Sequence, residues 1–508
     1  MDPLARIRDD LLEVLARRAL TEDSARPEAV ARRHGGSHGR GGRTARENIA
    51  DLVDPGSFVE YGRYVTAAQE ARRPLDELLD RTVADGIVGG IATVDGRSCA
   101  VLSYDYLVMA GTQGMRGHRK TDRLLELVER MRLPVVFFTE GGGGRPGDTD
   151  MPLVSALDVD TFRVWGRLAG VAPRIAVVHG SCFAGNAVLA GASDLIIATR
   201  SSSLGMAGPA MIAGGGLGDV AAADIGPIHV QTANGVVDVA VEDEEEAVEV
   251  ARHLLGLLAA PTVEDWCTPD QTTLRNVVPE REQTAYDVHP VIETLADEDS
   301  LVLLRDAYAQ ELVTALGRVE GRTVGFMANQ TLHSAGAITA GAAEKGTRFL
   351  ELCDTFGVPV VSLVDTPGMM VGPEAEATGL VRHASRLVVA GAKLRVPLVG
   401  VVLRRGYGLG AQAMLGGSTH APLATVAWPG AHLGAMGIEG AVRLALRKEL
   451  AGMGSDEERE DAVRQLVAAE RERAKALNVA RFFEIDDVID PAETRQVIAA
   501  VLTAATAD

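Results

Sequence analysis

Aromatic side chains make up only 4% of this chain, and its four cysteines stand singly at Cys99, Cys182, Cys267 and Cys353. No CxxC pair occurs, which excludes a zinc ribbon or disulfide framework and fits the reducing cytoplasm. No apolar run reaches the roughly 20 residues that span a bilayer, so no membrane association is expected. The N-terminus is charged and has no apolar signal core, so no secretory signal is expected. Net positive charge is missing too. The formal charge of −20 argues against nucleic acid as a partner. It also means that an anionic ligand must be met by backbone dipoles and individual arginines. No G-x-x-x-x-G-K-[ST] string is present, which removes a P-loop. The acidic run Glu242 to Glu246 has no compact ligand spacing and reads as a helix start, so no metal is expected. Neither paired carboxylates nor a Ser-His-Asp set stands out.

What the chain does have is glycine, 56 residues of it, with 46% hydrophobic and 24% charged residues. That balance suits a soluble globular protein of α/β type with many tight turns. A length of 508 residues exceeds one hydrophobic core, so two domains of about 250 residues each are expected.

The informative stretch runs from Leu363 to Met414. An apolar strand, Val358 to Val364, ends in Asp365-Thr366-Pro367-Gly368. A second strand, Leu398 to Leu403, feeds Gly406-Tyr407-Gly408-Leu409-Gly410. Strands that break into glycine-rich turns ahead of helices present unsatisfied N–H groups, which suit an anionic oxygen. The same arrangement occurs earlier. Gly96-Arg97 recurs as Gly321-Arg322 and Leu133-Pro134-Val135-Val136 as Val358-Pro359-Val360-Val361, at one constant displacement (321 − 96 = 359 − 134 = 225). Pro173 answers to Pro397 at one fewer (397 − 173 = 224), Glu140-Gly141-Gly142 falls opposite Asp365-Thr366-Pro367, and Gly180 to Gly185 falls opposite Arg404 to Leu409. One register held by separate landmarks indicates two copies of one fold.

Taken in order, residues Leu4 to Leu20 read as an amphipathic helix, and Arg32 to Arg43 as a loose basic stretch, either a linker or a docking element. Thr44 to Glu47 has capping-box spacing. Two strands flank the Asp95-Gly96 turn, Gly111 to Arg119 reads as a loop, and Thr121 to Met131 as a helix. Pro261 to Pro290 lacks periodicity and is the expected linker, dividing a domain 1–285 from a domain 286–508.

Thr44-Ala45-Arg46-Glu47 with Asp54-Pro55-Gly56-Ser57-Phe58 resembles the opening of the carboxyltransferase β subunits of biotin-dependent acyl-CoA carboxylases. Ala342-Ala343-Glu344-Lys345, Phe349 to Asp354, Asp365 to Gly368, Gly379 to His383 and Asp486 to Pro491 are similar to that family's second domain. The resemblance covers about residues 40 to 500. It implies tandem crotonase-like (ClpP/crotonase) ββα-spiral domains and transfer of CO2 from carboxybiotin to the α-carbon of an acyl-CoA, in fatty acid metabolism. It further implies an active site shared between subunits, hence a homo-oligomer of hexamer size, a trimer of dimers.

Carried over by position, the resemblance makes Ala184 and Gly185 the acyl oxyanion pair, with Gly142 and Gly143 on the neighbouring turn. Arg145 then either faces a CoA phosphate or pairs with Asp148. Gly408, Leu409 and Gly410 fall on the biotin side, the last two as its oxyanion pair, and Phe183, Ala411 and Gln412 line the acyl pocket. Both holes use main-chain N–H groups against thioester and ureido oxygens, and biotin takes the substrate proton, so no side-chain base is required. Ala184 and Leu409 stand where the family usually has glycine, Thr139-Glu140-Gly141 replaces Asn-Asp-Ser, and Gln412 replaces an acidic residue. No Met-Lys biotinylation pair and no ATP-binding lobe occur, so a biotin carboxylase/biotin carrier α subunit is the expected partner. A malonyl- or methylmalonyl-CoA decarboxylase subunit and a non-catalytic scaffold are the alternative readings. His179 and Cys182 read as packed and inert.

Overall fold

The protein is described by a computed structural model covering residues 8–35, 41–150, 155, 157–259, 262–451, 453 and 455–505. It divides into two compact units, Met1–Ala259 and Ala260–Asp508. The expected helix Leu4 to Leu20 is present as Asp9–Leu20, with Leu4 to Ile7 outside the described residues.

In the first unit the strands are β1 Val59–Glu60, β2 Ile87–Val94, β3 Arg97–Tyr104, β4 Val135–Phe138, β5 Arg174–Val178, β6 Ser181–Phe183, β7 Leu195–Thr199, β8 Ser203–Gly205 and β9 Val239–Val241. Seven of them form one sheet in the order β1-β2-β3-β4-β5-β7-β9, while β6 pairs with β8 alone. The β2–β3 hairpin is antiparallel, and from β3 onward the pairing is parallel. Its turn, Asp95-Gly96, takes positive φ at both residues (49° and 75°), as a two-residue hairpin with right-handed strand twist requires. Strands buried on both faces read as continuous apolar runs, and Val135–Phe138 is buried throughout. The core gathers Leu102, Leu124, Phe137 and Trp165.

The second unit repeats this plan. Its strands are β10 Val302–Leu304, β11 Leu312–Val319, β12 Arg322–Asn329, β13 Val360–Thr366, β14 Leu398–Tyr407, β15 Ala424–Ala427, β16 His432–Gly434 and β17 Asp487–Val488. Their order is β10-β11-β12-β13-β14-β15-β17, with β16 joined to β14. The duplication holds in register. Ala100 pairs with Val135, and Gly325, at the displacement found in the sequence (325 − 100 = 225), pairs with Val360. The 17-residue helices Met115–Met131 and Ala340–Phe356 differ by the same shift (340 − 115).

Several local readings change. The first of these helices begins at Met115, so much of the expected loop Gly111 to Arg119 is helical. Gly117 lies there because a Cβ would stand 3.2 Å from the Asp85 carbonyl. The basic stretch is partly ordered as the end of the helix Pro27–Gly35, with residues 36–40 outside the described residues. Pro261 also lies outside them. The rest of the expected linker supplies Leu274, Tyr286 and Val288 to the second unit's core, so the units divide at 259/260 rather than 285/286. The Thr44 capping box forms as expected, Glu47 N–H donating to Thr44 Oγ1 at 3.1 Å.

Candidate active site

In the first unit, β5 ends at Val178 and the chain crosses His179-Gly180 into β6. It then turns sharply at Ala184 (φ 50°, ψ −120°) into the helix Gly185–Gly191. Gly141 N–H donates to Ser181 carbonyl O at 2.7 Å, and Phe183 N–H to Gly141 O at 2.9 Å, so the loop after β4 is stitched to β6. Ala184 N–H donates to Gly205 O at 3.1 Å. The expected Ala184 donor is therefore engaged, and the free donors of this turn are those that open the helix, Gly185 and its successor Asn186, which have no intrahelical acceptor.

The other expected residues are held in place around that helix end. Gly142 N–H donates to Ala110 O at 3.3 Å and Gly143 N–H to Asn186 Oδ1 at 3.0 Å, so both build the wall rather than offer amides. Phe183 is buried, and its ring packs where Gly208 leaves room, 3.3 Å from the position of an added Cβ. Gly185 faces Gln113, whose Oε1 a methyl at that position would overlap. The Arg145 side chain is 2% exposed. It is ion-paired with Asp85, donates to Thr112 O at 3.0 Å, and lies 3.8 Å from Asp148. This corrects the phosphate-binding option: the guanidinium cross-links the loop from inside.

Beneath the turn lies a buried charge cluster. Arg33 Nη1 and Nη2 donate to Glu140 at 2.9 and 2.6 Å. His179 stands 3.6 Å from Glu140 and 3.7 Å from Glu244, and both its ring nitrogens lack a hydrogen bond. Burial pushes the Glu140 carboxyl up, while His179 and Arg33 oppose the shift. For Glu244, burial also acts upward, but His179 and the Arg43 N–H outweigh it and hold the carboxyl at about 2. Burial raises the Cys182 thiol to about 12, which agrees with an inert side chain.

The second unit presents the matching turn. Asp365, near the end of β13, accepts Arg404 Nε at 3.0 Å and Arg405 Nε at 2.6 Å, all three being buried. β14 runs on to Tyr407, past the expected end at Leu403, and the helix Gly408–Met414 starts immediately. Gly408 has φ 60° and answers to Ala184 at the displacement of this part of the repeat (408 − 184 = 224), so the positive-φ pivot is duplicated. Gly408, Leu409 and Gly410 are the first three helical residues and lack intrahelical acceptors. Gly410 packs on Gly368, where a Cβ would stand 2.5 Å from the carbonyl carbon. Tyr407 Oη donates to Glu282 at 3.0 Å, and Arg471 holds the other carboxylate oxygen at 2.9 Å. A cavity of about 420 Å³ is lined by Gly408, Leu409, Ala411 and Gln412 among others, and Phe183 is not part of its lining. Beside it lies a cavity of about 680 Å³ that shares Leu433, Gly434 and Ala435 with it.

Asn186, Gln113 and Arg33 are parts that sequence reasoning missed. Only Asn186 carried a local signal, a buried amide in the first turn of a glycine-headed helix. Among the described residues no group of three or more His, Cys, Asp or Glu could hold a metal ion, and no helix is long and apolar enough to cross a membrane.

Comparison with known proteins identifies relatives of the chain. The profile of the carboxyl transferase domain matches residues 36–508. The methylmalonyl-CoA carboxyltransferase 12S subunit of Propionibacterium freudenreichii subsp. shermanii is 33% identical over 484 residues, 92% of this chain and 89% of that protein. A crystal structure of transcarboxylase 12S, described as a hexamer assembly with methylmalonyl-coenzyme A and methylmalonic acid bound, superposes with a TM-score of 0.86 at 29% identity. It covers 99% of this chain and 96% of its own. A single-chain, multi-domain long-chain acyl-CoA carboxylase superposes with a TM-score of 0.91 at 52% identity over 98% of this chain, which spans about half (49%) of that protein.

Proposed function

The chain belongs to the carboxyl transferase domain family, and from that premise we propose that it moves a carboxyl group between biotin on a carrier and the α-carbon of an acyl-CoA. The observation that carries this reading is the duplicated pivot. Ala184 and Gly408 both turn at positive φ into short helices whose leading amides have no acceptor of their own. Two such turns answer to two oxygens that gain negative charge in one reaction.

In the first unit the Gly185 N–H, with Asn186 beside it, receives the thioester oxygen as the α-proton leaves. A preorganised donor of this kind typically contributes about 3–4 kcal/mol to lowering the barrier. Gln113 and Phe162 fill the side of Gly185 where a Cβ would stand, so only a glycine lets them pack this closely against the turn. Gly143, tied to Asn186 Oδ1, fixes the opposite wall.

In the second unit the amides of Gly408, Leu409 and Gly410 fit a ureido oxygen and would stabilise the negative charge it gains when its nitrogen gives up a carboxyl group. The adjoining cavity of about 420 Å³ is within the range of small-ligand sites. When bound, biotin supplies the ureido nitrogen that carries the carboxyl group and accepts the acyl proton. The chain's own part is to hold that ring. Gly410 rests on Gly368, and the Tyr407–Glu282–Arg471 chain keeps the helix end from rotating.

Each unit is then one carboxyltransferase lobe, and the working assembly is a hexamer, supported by the 12S relative. Biotin carboxylase and carrier functions come from a separate α subunit in the cytoplasm. A single-chain, multi-domain long-chain acyl-CoA carboxylase, of which this chain spans about half, represents the other arrangement found among relatives. The test is to incubate the chain with a biotin carboxylase/carrier subunit, ATP, labelled bicarbonate and a panel of acyl-CoAs. Acid-stable label in an acyl-CoA is expected, and its absence across the panel refutes the reading.

A further inference from the structure

Glu140 follows the strand before the first turn, and Asp365, at the displacement of the repeat (365 − 140 = 225), occupies the same place in the second unit. Both carboxylates are buried, and both are clamped by guanidinium groups. In the second unit the clamp is local, because Arg404 and Arg405 sit on β14. Their counterparts in the first unit, Gly180 and Ser181 (404 − 180 = 405 − 181 = 224), carry no cation. There the clamp comes from Arg33, in the helix Pro27–Gly35, outside the residues 36–508 that match the family profile. Arg33 is itself fixed by donating Nε to Arg43 O at 3.0 Å and by lying over the Tyr106 ring at 5.3 Å.

Glu140 touches both loops that frame Gly185. Its carboxylate lies directly against Gly180, where a methyl group would overlap Oε1. Its carbonyl O accepts Asn186 Nδ2 at 3.4 Å, and the Oδ1 of the same amide holds the Gly143 N–H. Without the guanidinium, the carboxylate is left with His179 at 3.6 Å, beyond hydrogen-bond distance, and with the like charge of Glu244 acting on it. A buried carboxylate in that position either takes a proton or moves toward water. Either response shifts Gly180 and, through β6, the direction of the Gly185 N–H.

We propose that Arg33 is a positioning residue for the acyl-side turn, so that the helix preceding the family domain completes the site by holding Glu140 under Gly180. This rests on the reading that the Gly185 turn receives the thioester oxygen. An oxyanion donor matters most where charge develops, so a misdirected N–H lowers kcat more than it raises KM.

The test uses the full chain with Arg33→Met, Arg33→Lys and the double variant Arg33→Met/Glu140→Gln. The readouts are decarboxylation of methylmalonyl-CoA or malonyl-CoA in the presence of free biotin, and amide hydrogen exchange of residues 180–187. Expected for Arg33→Met is a kcat loss of about tenfold or more with KM within about twofold, and faster exchange in that segment. Arg33→Lys, which keeps the charge but not the fork, falls in between. The double variant, with no unpaired charge, regains part of the loss. If Arg33→Met does not fold, Arg33→Lys carries the same comparison. Unchanged kcat and unchanged exchange in the folded variant overturn the proposal. A wild-type chain inactive on both substrates overturns the functional reading instead.

Discussion

Ala184 and Leu409 both stand where the resemblance leads one to expect glycine, yet the backbone treats the two positions in opposite ways. Ala184 sits at φ 50°, ψ −120°, a region a Cβ disfavours by about 1–3 kcal/mol. Leu409 has no positive φ, lies in the first turn of a helix, and is 67% exposed. Ala184→Gly therefore removes that strain and adds about 0.5–1 kcal/mol of unfolded-chain entropy. The lost methyl group faces Gly143, 2.6 Å from where a Cβ there would lie. The net expectation is a gain of about 1 kcal/mol, or about 2–4 °C in the melting temperature of a unit this size. Leu409→Gly relieves nothing and loses about 1 kcal/mol of helix propensity, so its melting temperature falls by a similar amount. Differential scanning calorimetry on the full chain reads both. Shifts of the same sign, or a fall for Ala184→Gly, would refute the strained-pivot reasoning.

Gly410→Ala places a Cβ against Gly368 backbone, which cannot swing aside as a side chain could. Denaturant titration is expected to show a loss of about 1–3 kcal/mol. Arg145→Ala leaves Asp85 buried and unpaired, at a stability cost of about 3–5 kcal/mol. Calorimetric affinity of the folded variant for coenzyme A should stay at the wild-type value, which separates an internal cross-link from a phosphate ligand. Lys120 is buried, with its ammonium on the Ala84 and Ile87 carbonyls, and burial lowers it to about 8. Between about pH 8 and pH 10 the folded chain has released a proton that the unfolded chain still binds, so wild-type stability rises with pH across that window. Any stability advantage of Lys120→Met at pH 7 should shrink by up to about 3 kcal/mol by pH 10. A pH-independent difference between the two proteins would exclude this titration.

The duplication was legible because it rests on spacing. A strand, a turn and a helix kept at one displacement through Gly96, Pro134 and their counterparts must also keep one pairing register, and Ala100–Val135 and Gly325–Val360 do so. The Thr44 cap was legible because its partner is three residues away. Long-range partners were not. Arg33 sits among glycines and arginines that read as either a linker or a docking element, and only the fold brings Glu140, far along the chain, to it. The engagement of Ala184 N–H by Gly205 is invisible for the same reason. Met115 opens a helix that glycines at 114 and 117 disguise, because Gly117 is there for close packing against Asp85 and not for a turn. The stretch 262–290 lacks periodicity yet buries Leu274, Tyr286 and Val288, so irregular sequence there meant an irregular part of the core.

The central claim is that two backbone turns, headed by Gly185 and by Gly408 to Gly410, share one carboxyl transfer. The most direct measurement is passage of a labelled carboxyl group from methylmalonyl-CoA or malonyl-CoA to free biotin, with the wild-type chain, Gly185→Ala and Gly410→Ala compared side by side. Expected is label on biotin with the wild-type chain and a loss of about a hundredfold or more in each variant, with coenzyme A affinity within about twofold. No transfer by the wild-type chain, or transfer undiminished in both variants, would contradict it.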